Sequence, residues 1–341
     1  MPAQIFGGSD KFYAAATIGP DAPLSIVFHS QTIAKLQEIV GEEARGLVSA
    51  AFKRWNVRVR EQLRRATGLK LVDETTRTQI RVIVQDGLPS PLAVALDKHY
   101  EELAFWVLGH KSILEATKSG LDLLNKRTDF ILSRYPNLEL DVGPSSIEIH
   151  HEKIRYARLL IESLLKRFPT DSLKQIYAIE QDILGAYFFR RGEIHLYWLV
   201  IGLFSKALDI SVEDMTVIVL AHELAHAYTH LGLDIDGNTW STDRFAGTDL
   251  AVVEGLAEFY TEQVAKALDG DHKNLQDAFA KMSDKSPDVY RLFKTWAPNH
   301  RNVGEVIRQS MIEARLRQVS DHATFLKIVE SAKKQFTATS S

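Results

Sequence analysis

One helix-forming stretch constrains this chain more than any other segment. From Ser211 to about Gly232 the sequence is apolar, with Val212, Met215, Val219, His222 and His226 falling on one side at helical spacing. Ser211 followed three residues later by Asp214 is a capping box that predicts where the helix starts. Inside this stretch stands His222-Glu223-Leu224-Ala225-His226. Positions i and i+4 share one helix face, one turn apart. Two imidazoles so placed can hold one zinc ion, and Glu223 can reach a water on that metal.

The rest of the composition narrows the chemistry. The chain has 341 residues and no cysteine. Disulfides, thiolate metal sites and a Cys nucleophile are thereby excluded, so a metal must be held by His, Asp or Glu. Hydrophobic residues make up 45% and charged residues 25%, as in an ordinary soluble globular protein. A formal net charge of -3 favours neither nucleic acid nor an anionic membrane as partner. Met1 to Ser30 lacks a basic segment followed by an apolar run, and the longest apolar stretch, Ile194 to Phe204, is too short to span a bilayer. A cytoplasmic location is the expectation. Nothing in the sequence speaks to the oligomeric state.

The pattern along the chain predicts an α+β fold, predominantly helical. Helical spacing covers about Thr32 to Thr67, Pro91 to Arg134 and Ser145 to Phe168, with Pro169 closing the last. Strands are expected at Leu24–Phe28, Gln79–Val84, Gln175–Ile179, Ile183–Phe189 and Ile194–Val200. Arg190-Arg191-Gly192-Glu193 reads as the turn of a hairpin joining the last two. A loop from about Asp234 to Thr248 follows the motif helix, then a helix from about Leu250 to Leu268, and a helical tail after Pro298. The expected division is a mostly helical N-terminal region, residues 1–170, regulatory or substrate-binding, and a catalytic domain over residues 171–341.

A catalytic zinc needs a third protein ligand. His230 lies four residues beyond His226, but it is eight residues, about 12 Å of helix, from His222, so one zinc cannot easily take all three. A metzincin continuation would need glycine at Thr229 and histidine at Gly232. Gly247-Thr248-Asp249 is similar to the aspzincin Gly-Thr-x-x-Asp signature, but lacks two residues between Thr and Asp; a helix N-cap explains it without a metal. Glu254, in Glu254-Gly255-Leu256-Ala257-Glu258, is the preferred ligand. Glu258 shares its face and can accept from the free ring nitrogen of a ligating histidine. Gly255 is expected to let this helix approach the motif helix closely.

His222-Glu223-x-x-His226 followed by Glu254-Gly255-x-Ala257-Glu258 resembles the gluzincin metallopeptidases, the thermolysin-like class. Gly185-Ala186-Tyr187 and Ile194-His195-Leu196 look like the strands that precede the motif helix in many such enzymes. The resemblance covers about residues 175 to 310. It implies a zincin-like catalytic domain: a small sheet, the motif helix and a helix bearing the Glu ligand. It also implies peptide hydrolysis, endopeptidase rather than exopeptidase, with Zn2+ held by His222, His226 and Glu254, and Glu223 as general base. The substrate is then a peptide or protein, whose extended backbone an edge strand near Ala186–Phe189 or His195–Leu199 could pair with. An oxyanion donor lies downstream of the Glu ligand in such enzymes, and His300 is the first choice here, with Tyr260, Tyr290 and Arg301 as alternatives. The competing expectation is a catalytically inactive gluzincin-like scaffold acting in binding or regulation; the presence of Glu223 weighs against it, because a structural site needs no base.

Remaining features have plainer readings. Asp234-Ile235-Asp236-Gly237-Asn238 departs from a calcium loop and reads as a polar loop at the cleft rim. His150-His151-Glu152 and Lys126-Arg127 read as solvated surface, and Trp55, Trp106 and Trp198 as core.

Overall fold

The computed structural model describes residues 34, 36–71, 80–89, 110–134, 144–167, 183–270 and 274–338. In chain order these form helix α1 (Glu43–Thr67), strand β1 (Arg81–Gln85), helices α2 (His110–Arg134) and α3 (Pro144–Arg167), strands β2 (Gly185–Phe188) and β3 (Glu193–Tyr197), and helices α4 (Trp198–Leu208) and α5 (Val212–Leu231). Helices α6 (Thr242–Ala246), α7 (Leu250–Leu268), α8 (Leu275–Ser283), α9 (Asp288–Arg291), α10 (Val303–Leu316) and α11 (His322–Ala338) complete the chain, with a 3-10 turn at Leu292–Thr295. The fold is thus mostly helical with one three-stranded sheet, ordered β1-β3-β2. The expected strands at Leu24–Phe28 and Gln175–Ile179, and Trp106, lie outside the described residues. Among the described residues no helix is long and apolar enough to cross a membrane.

The chain groups into two units, one from Met1–Asp97 with Ile176–Ser341, the other Lys98–Gln175. This differs from the expected division at residue 170. The reason lies in α1, where Ala44, Val48, Ala51, Trp55, Val59 and Leu63 form a buried stripe at helical spacing. That stripe belongs to the interior shared with α5 and α7. Trp55 Nε1 donates to Glu213 Oε1 at the start of α5 (2.5 Å), and Tyr228 Oη near its end donates to the Arg60 carbonyl (2.9 Å). β1 also joins the first unit, pairing parallel to β3 with Val82 opposite Ile194 and Val84 opposite Leu196. In the second unit α2 packs on α3, with ion pairs between Lys118 and Glu162 (3.2 Å) and between Arg158 and Asp122 (3.3 Å).

Two expected elements end differently. The helix expected from Thr32 to Thr67 is interrupted at Gly41, whose φ of 97° only glycine adopts readily. The strand expected over Ile194–Val200 leaves the sheet at Tyr197, and α4 begins at Trp198. A continuous apolar run suits a buried strand and a buried helix equally. Here Trp198 through Ser205 are buried on every side of α4, so no polar face marks the change. The hairpin turn forms as expected, with the Arg191 and Gly192 amides donating to the Phe188 carbonyl (3.0 and 2.9 Å).

The motif helix α5 starts where its cap predicts, the Asp214 amide donating to Ser211 Oγ at 3.0 Å. It is buried all round from Asp214 to His230, not on one side only. A helix enclosed in this way sits at the centre of its domain. α1, α4, α7, β2 and β3 all pack against it.

Candidate metal centre

α5 and α7 bring three ligand atoms together. His222 Nε2 and His226 Nε2 are 3.1 Å apart, and Glu254 Oε2 lies 3.3 Å from each. His222, His226 and Glu254 form a group able to hold a metal ion. Zinc bonds of ~2.0–2.1 Å in a tetrahedral site imply ligand–ligand separations of about 3.3 Å, which this triangle matches.

The contacts around these groups sharpen the fit. His222 Nδ1 lies 3.3 Å from Glu258 Oε1, the position from which a carboxylate orients a ligating imidazole. Its Nε2 faces a carboxylate oxygen and a second imidazole nitrogen. Glu254 Oε2 is buried and has no hydrogen-bond partner. Acceptors crowded in a buried place repel each other unless a cation or proton sits between them. Burial alone would raise the Glu254 carboxyl, but the His226 and His222 imidazoles hold it below the usual carboxylate range. The donor set, its spacing and the orphaned oxygen therefore suit a divalent metal bound by nitrogen and oxygen.

Glu223 stands beside this triangle and is 2% exposed. Gly185 of β2 gives it room: a Cβ there would lie 2.7 Å from Glu223 Oε1 and 2.9 Å from Val219 Cγ1. A glycine in β2 thus lets the strand press against the motif helix at the level of its acid. Tyr197 at the end of β3 lies within the field of Glu223. Burial first, and then the Glu223 charge, push its phenol up to about 12.

A cavity opens on this acid. His222, Glu223 and Glu258 line one side, and Ile183, Leu184 and Gly185 run along it. Its free space, including that open to solvent, is ≈ 650 Å³. Tyr290 of α9 borders it and lies nearly parallel to the His222 ring, at 6.2 Å between centroids.

The other sequence candidates fall elsewhere. His300 sits in the turn before α10, its Nδ1 accepting from the Asn302 amide at 3.1 Å, and does not line this cavity. Tyr260 is fully buried, does not line it either, and has its phenol raised by burial. Arg301 is exposed in the same turn as His300. Of the four donor candidates only Tyr290 borders the cavity. Asp249 Oδ2 accepts from the His322 amide at 2.8 Å and is not part of the ligand group. Nor is His230, whose Nδ1 is 3.0 Å from Tyr187 Oη and whose ring stacks on Phe245. Asp234 Oδ1 accepts from the Asp236 and Asn238 amides (3.0 and 2.8 Å) and so closes its own turn.

Gly255 serves a different neighbour from the one expected. A Cβ there would lie 2.5 Å from Trp296 Cη2 and Cζ2, so the residue admits the indole and not the motif helix. Trp296, buried and donating from Nε1 to His322 Nε2 (3.2 Å), wedges against the residue next to Glu254. Sequence reasoning missed Trp296, and it named Gly185 only as part of a strand, because each acts through a contact that no local pattern encodes. Gly255, read as a point of close approach, signalled a neighbour pressing on its helix but not which one.

No protein-family model, curated protein or solved structure matches this chain.

Proposed function

We propose that this protein is a zinc-dependent metallopeptidase with a zincin-like catalytic domain, cutting internal peptide bonds. The observation that carries this reading is the buried triangle of His222, His226 and Glu254, with Glu223 beside it at the wall of a cavity. Zinc bound there supplies Lewis-acid polarisation of a carbonyl and a lowered pKa for water. Glu223 takes the proton of the attacking water and hands it to the leaving amine. Glu258 keeps the His222 ring in one tautomer and one orientation. β2, at one edge of the described sheet, offers backbone groups to an extended peptide. Tyr290 replaces His300 as the preferred donor to the developing oxyanion, because it borders the cavity that Glu223 lines.

The test is Glu223→Gln. The variant should retain the metal content of the wild type and lose cleavage of a peptide library by about 10²–10⁴-fold. Wild-type protein that carries zinc and cleaves nothing would instead support a non-catalytic scaffold.

A further inference from the structure

Arg315 of α10 carries a positive charge into the interior, where it is 1% exposed. Its Nη2 donates to the carbonyl of Gly232, at the C-terminal end of α5, and to that of Asn238 (2.8 Å). Nε and Nη1 have no hydrogen-bond partner among the described residues. Asp234 is the carboxylate whose charge acts on this guanidinium. Its oxygens are taken up, however, by the Asp236 and Asn238 amides and the Asn238 side chain. Burial pulls Arg315 down to about 10, so it stays charged at neutral pH. Other buried donors nearby are also unmet. Tyr260 of α7 is fully buried, its Oη makes no hydrogen bond, and it lies in the field of Arg315. Burial raises its phenol, which therefore keeps its proton. Trp240, two residues beyond the carbonyl that Arg315 holds at Asn238, is 1% exposed, and its Nε1 has no acceptor. We propose that Arg315 and Tyr260 hold a small monovalent anion, of chloride size, buried where α10 meets the end of α5. Neither residue is in the metal-ligand group or lines the cavity beside Glu223, so the anion site stands apart from the metallopeptidase reading.

The excess of donors separates an anion from water. Arg315 Nε and Nη1, Tyr260 Oη and Trp240 Nε1 can all donate, and none of the four finds an acceptor. A water among them would accept from two but would need acceptors for its own hydrogens. An anion needs none, and it also neutralises a buried charge that is costly to leave unpaired. The burial of both residues admits an ion of chloride size and excludes organic anions. Bound there, the anion ties α10 to the loop that follows α5, which Arg315 already grips through Gly232 and Asn238.

The experiment follows thermal unfolding of the full-length, zinc-loaded protein in sodium chloride against sodium gluconate at equal ionic strength. An ion bound by the folded chain alone stabilises it by mass action. Tm should therefore rise by about 2 °C for each tenfold increase in chloride above the dissociation constant, relative to gluconate. Tyr260→Phe keeps the packed ring and removes the hydroxyl. It should move the chloride response to about tenfold higher concentration. Arg315→Met should abolish the response; if that variant does not fold, Tyr260→Phe carries the test by itself. Protein stripped of metal by a chelator should respond to chloride as the loaded protein does. Crystals grown in sodium bromide should show an anomalous peak in contact with the Arg315 guanidinium and Tyr260 Oη. A Tm indifferent to chloride, a response unchanged in Tyr260→Phe, a response that vanishes on chelation, or water alone at the site in bromide would each overturn the assignment.

Discussion

The motif helix α5 and the helices α2 and α3 handle polarity in opposite ways. α5 buries His222, Glu223 and His226, and α7 buries Glu254 and Glu258 facing them. α2 and α3 expose Ile113, Leu123, Phe130, Tyr156, Leu159 and Leu160, each at least half accessible. Charged side chains inside a protein need a partner, and Glu254 and Glu258 of α7 face the imidazoles of α5. The pair α2 and α3 is stitched by partly exposed ion pairs, which contribute little individually. Burial of polar groups distinguishes the helices that carry the candidate metal centre.

The largest effect should come from Glu254→Ala. It removes one corner of the triangle, and metal affinity should fall by more than about 100-fold, read as metal content after dialysis against a chelator. Full occupancy in this variant would break the contrast drawn above, since the buried carboxylate would then have no stated reason to be there. Gly255→Ala should come next. Its methyl group meets the Trp296 indole, and unfolding stability should drop by about 1–3 kcal/mol in a denaturant titration. An unchanged midpoint would mean that Trp296 can move aside without disturbing α7.

The third effect depends on pH. Burial, and then the charge of Arg315, depress the His230 imidazole to about 3 from an ordinary value of 6.5. The unfolded chain takes up this proton near the ordinary value, whereas the folded chain resists until the lower one. The stability due to a neutral His230 is therefore complete above about pH 6.5 and is lost as pH falls toward about 3. The slope is at most about 1.4 kcal/mol per pH unit. A series of Tm measurements on wild type and His230→Gln should show the difference between them shrinking over that window; parallel curves would contradict it. The smallest effect is expected in α2 and α3. Phe130→Ala, at a position 60% exposed, should change stability by no more than about 0.5 kcal/mol. A loss of several times that would show that the apolar residues of α2 and α3 have a buried partner, and would erase the difference between the two regions.

Much of the site was legible in the sequence because it rests on helical geometry. Ser211 and Asp214 marked the start of α5, and the i, i+4 rule put His222 and His226 on one face. The same rule paired Glu254 with Glu258, and the structure brings Glu254 Oε2 to both imidazoles and Glu258 to His222 Nδ1. The boundary at Tyr197 was not legible, since the apolar run from Ile194 onward carries no period that separates a strand from a buried helix. Nor was the place of α1 in the site's own unit. Its stripe announces a buried face, but not which helix covers it. His300 was preferred as oxyanion donor for its sequence position, and position along the chain says little about a contact across the fold.

By itself the sequence determined the helices of the centre, the identity of the candidate ligands and the absence of any thiol chemistry. These follow from local periodicity, capping and residue type, which operate within a few residues of chain. Only the tertiary structure decided that α1 closes over the motif helix, that Trp296 occupies the space left by Gly255, and that Phe204, Leu208 and Met282 wall the cavity next to Glu223. Those contacts join residues tens to hundreds of positions apart. Side-chain packing selects them from many that the same apolar patterns would permit.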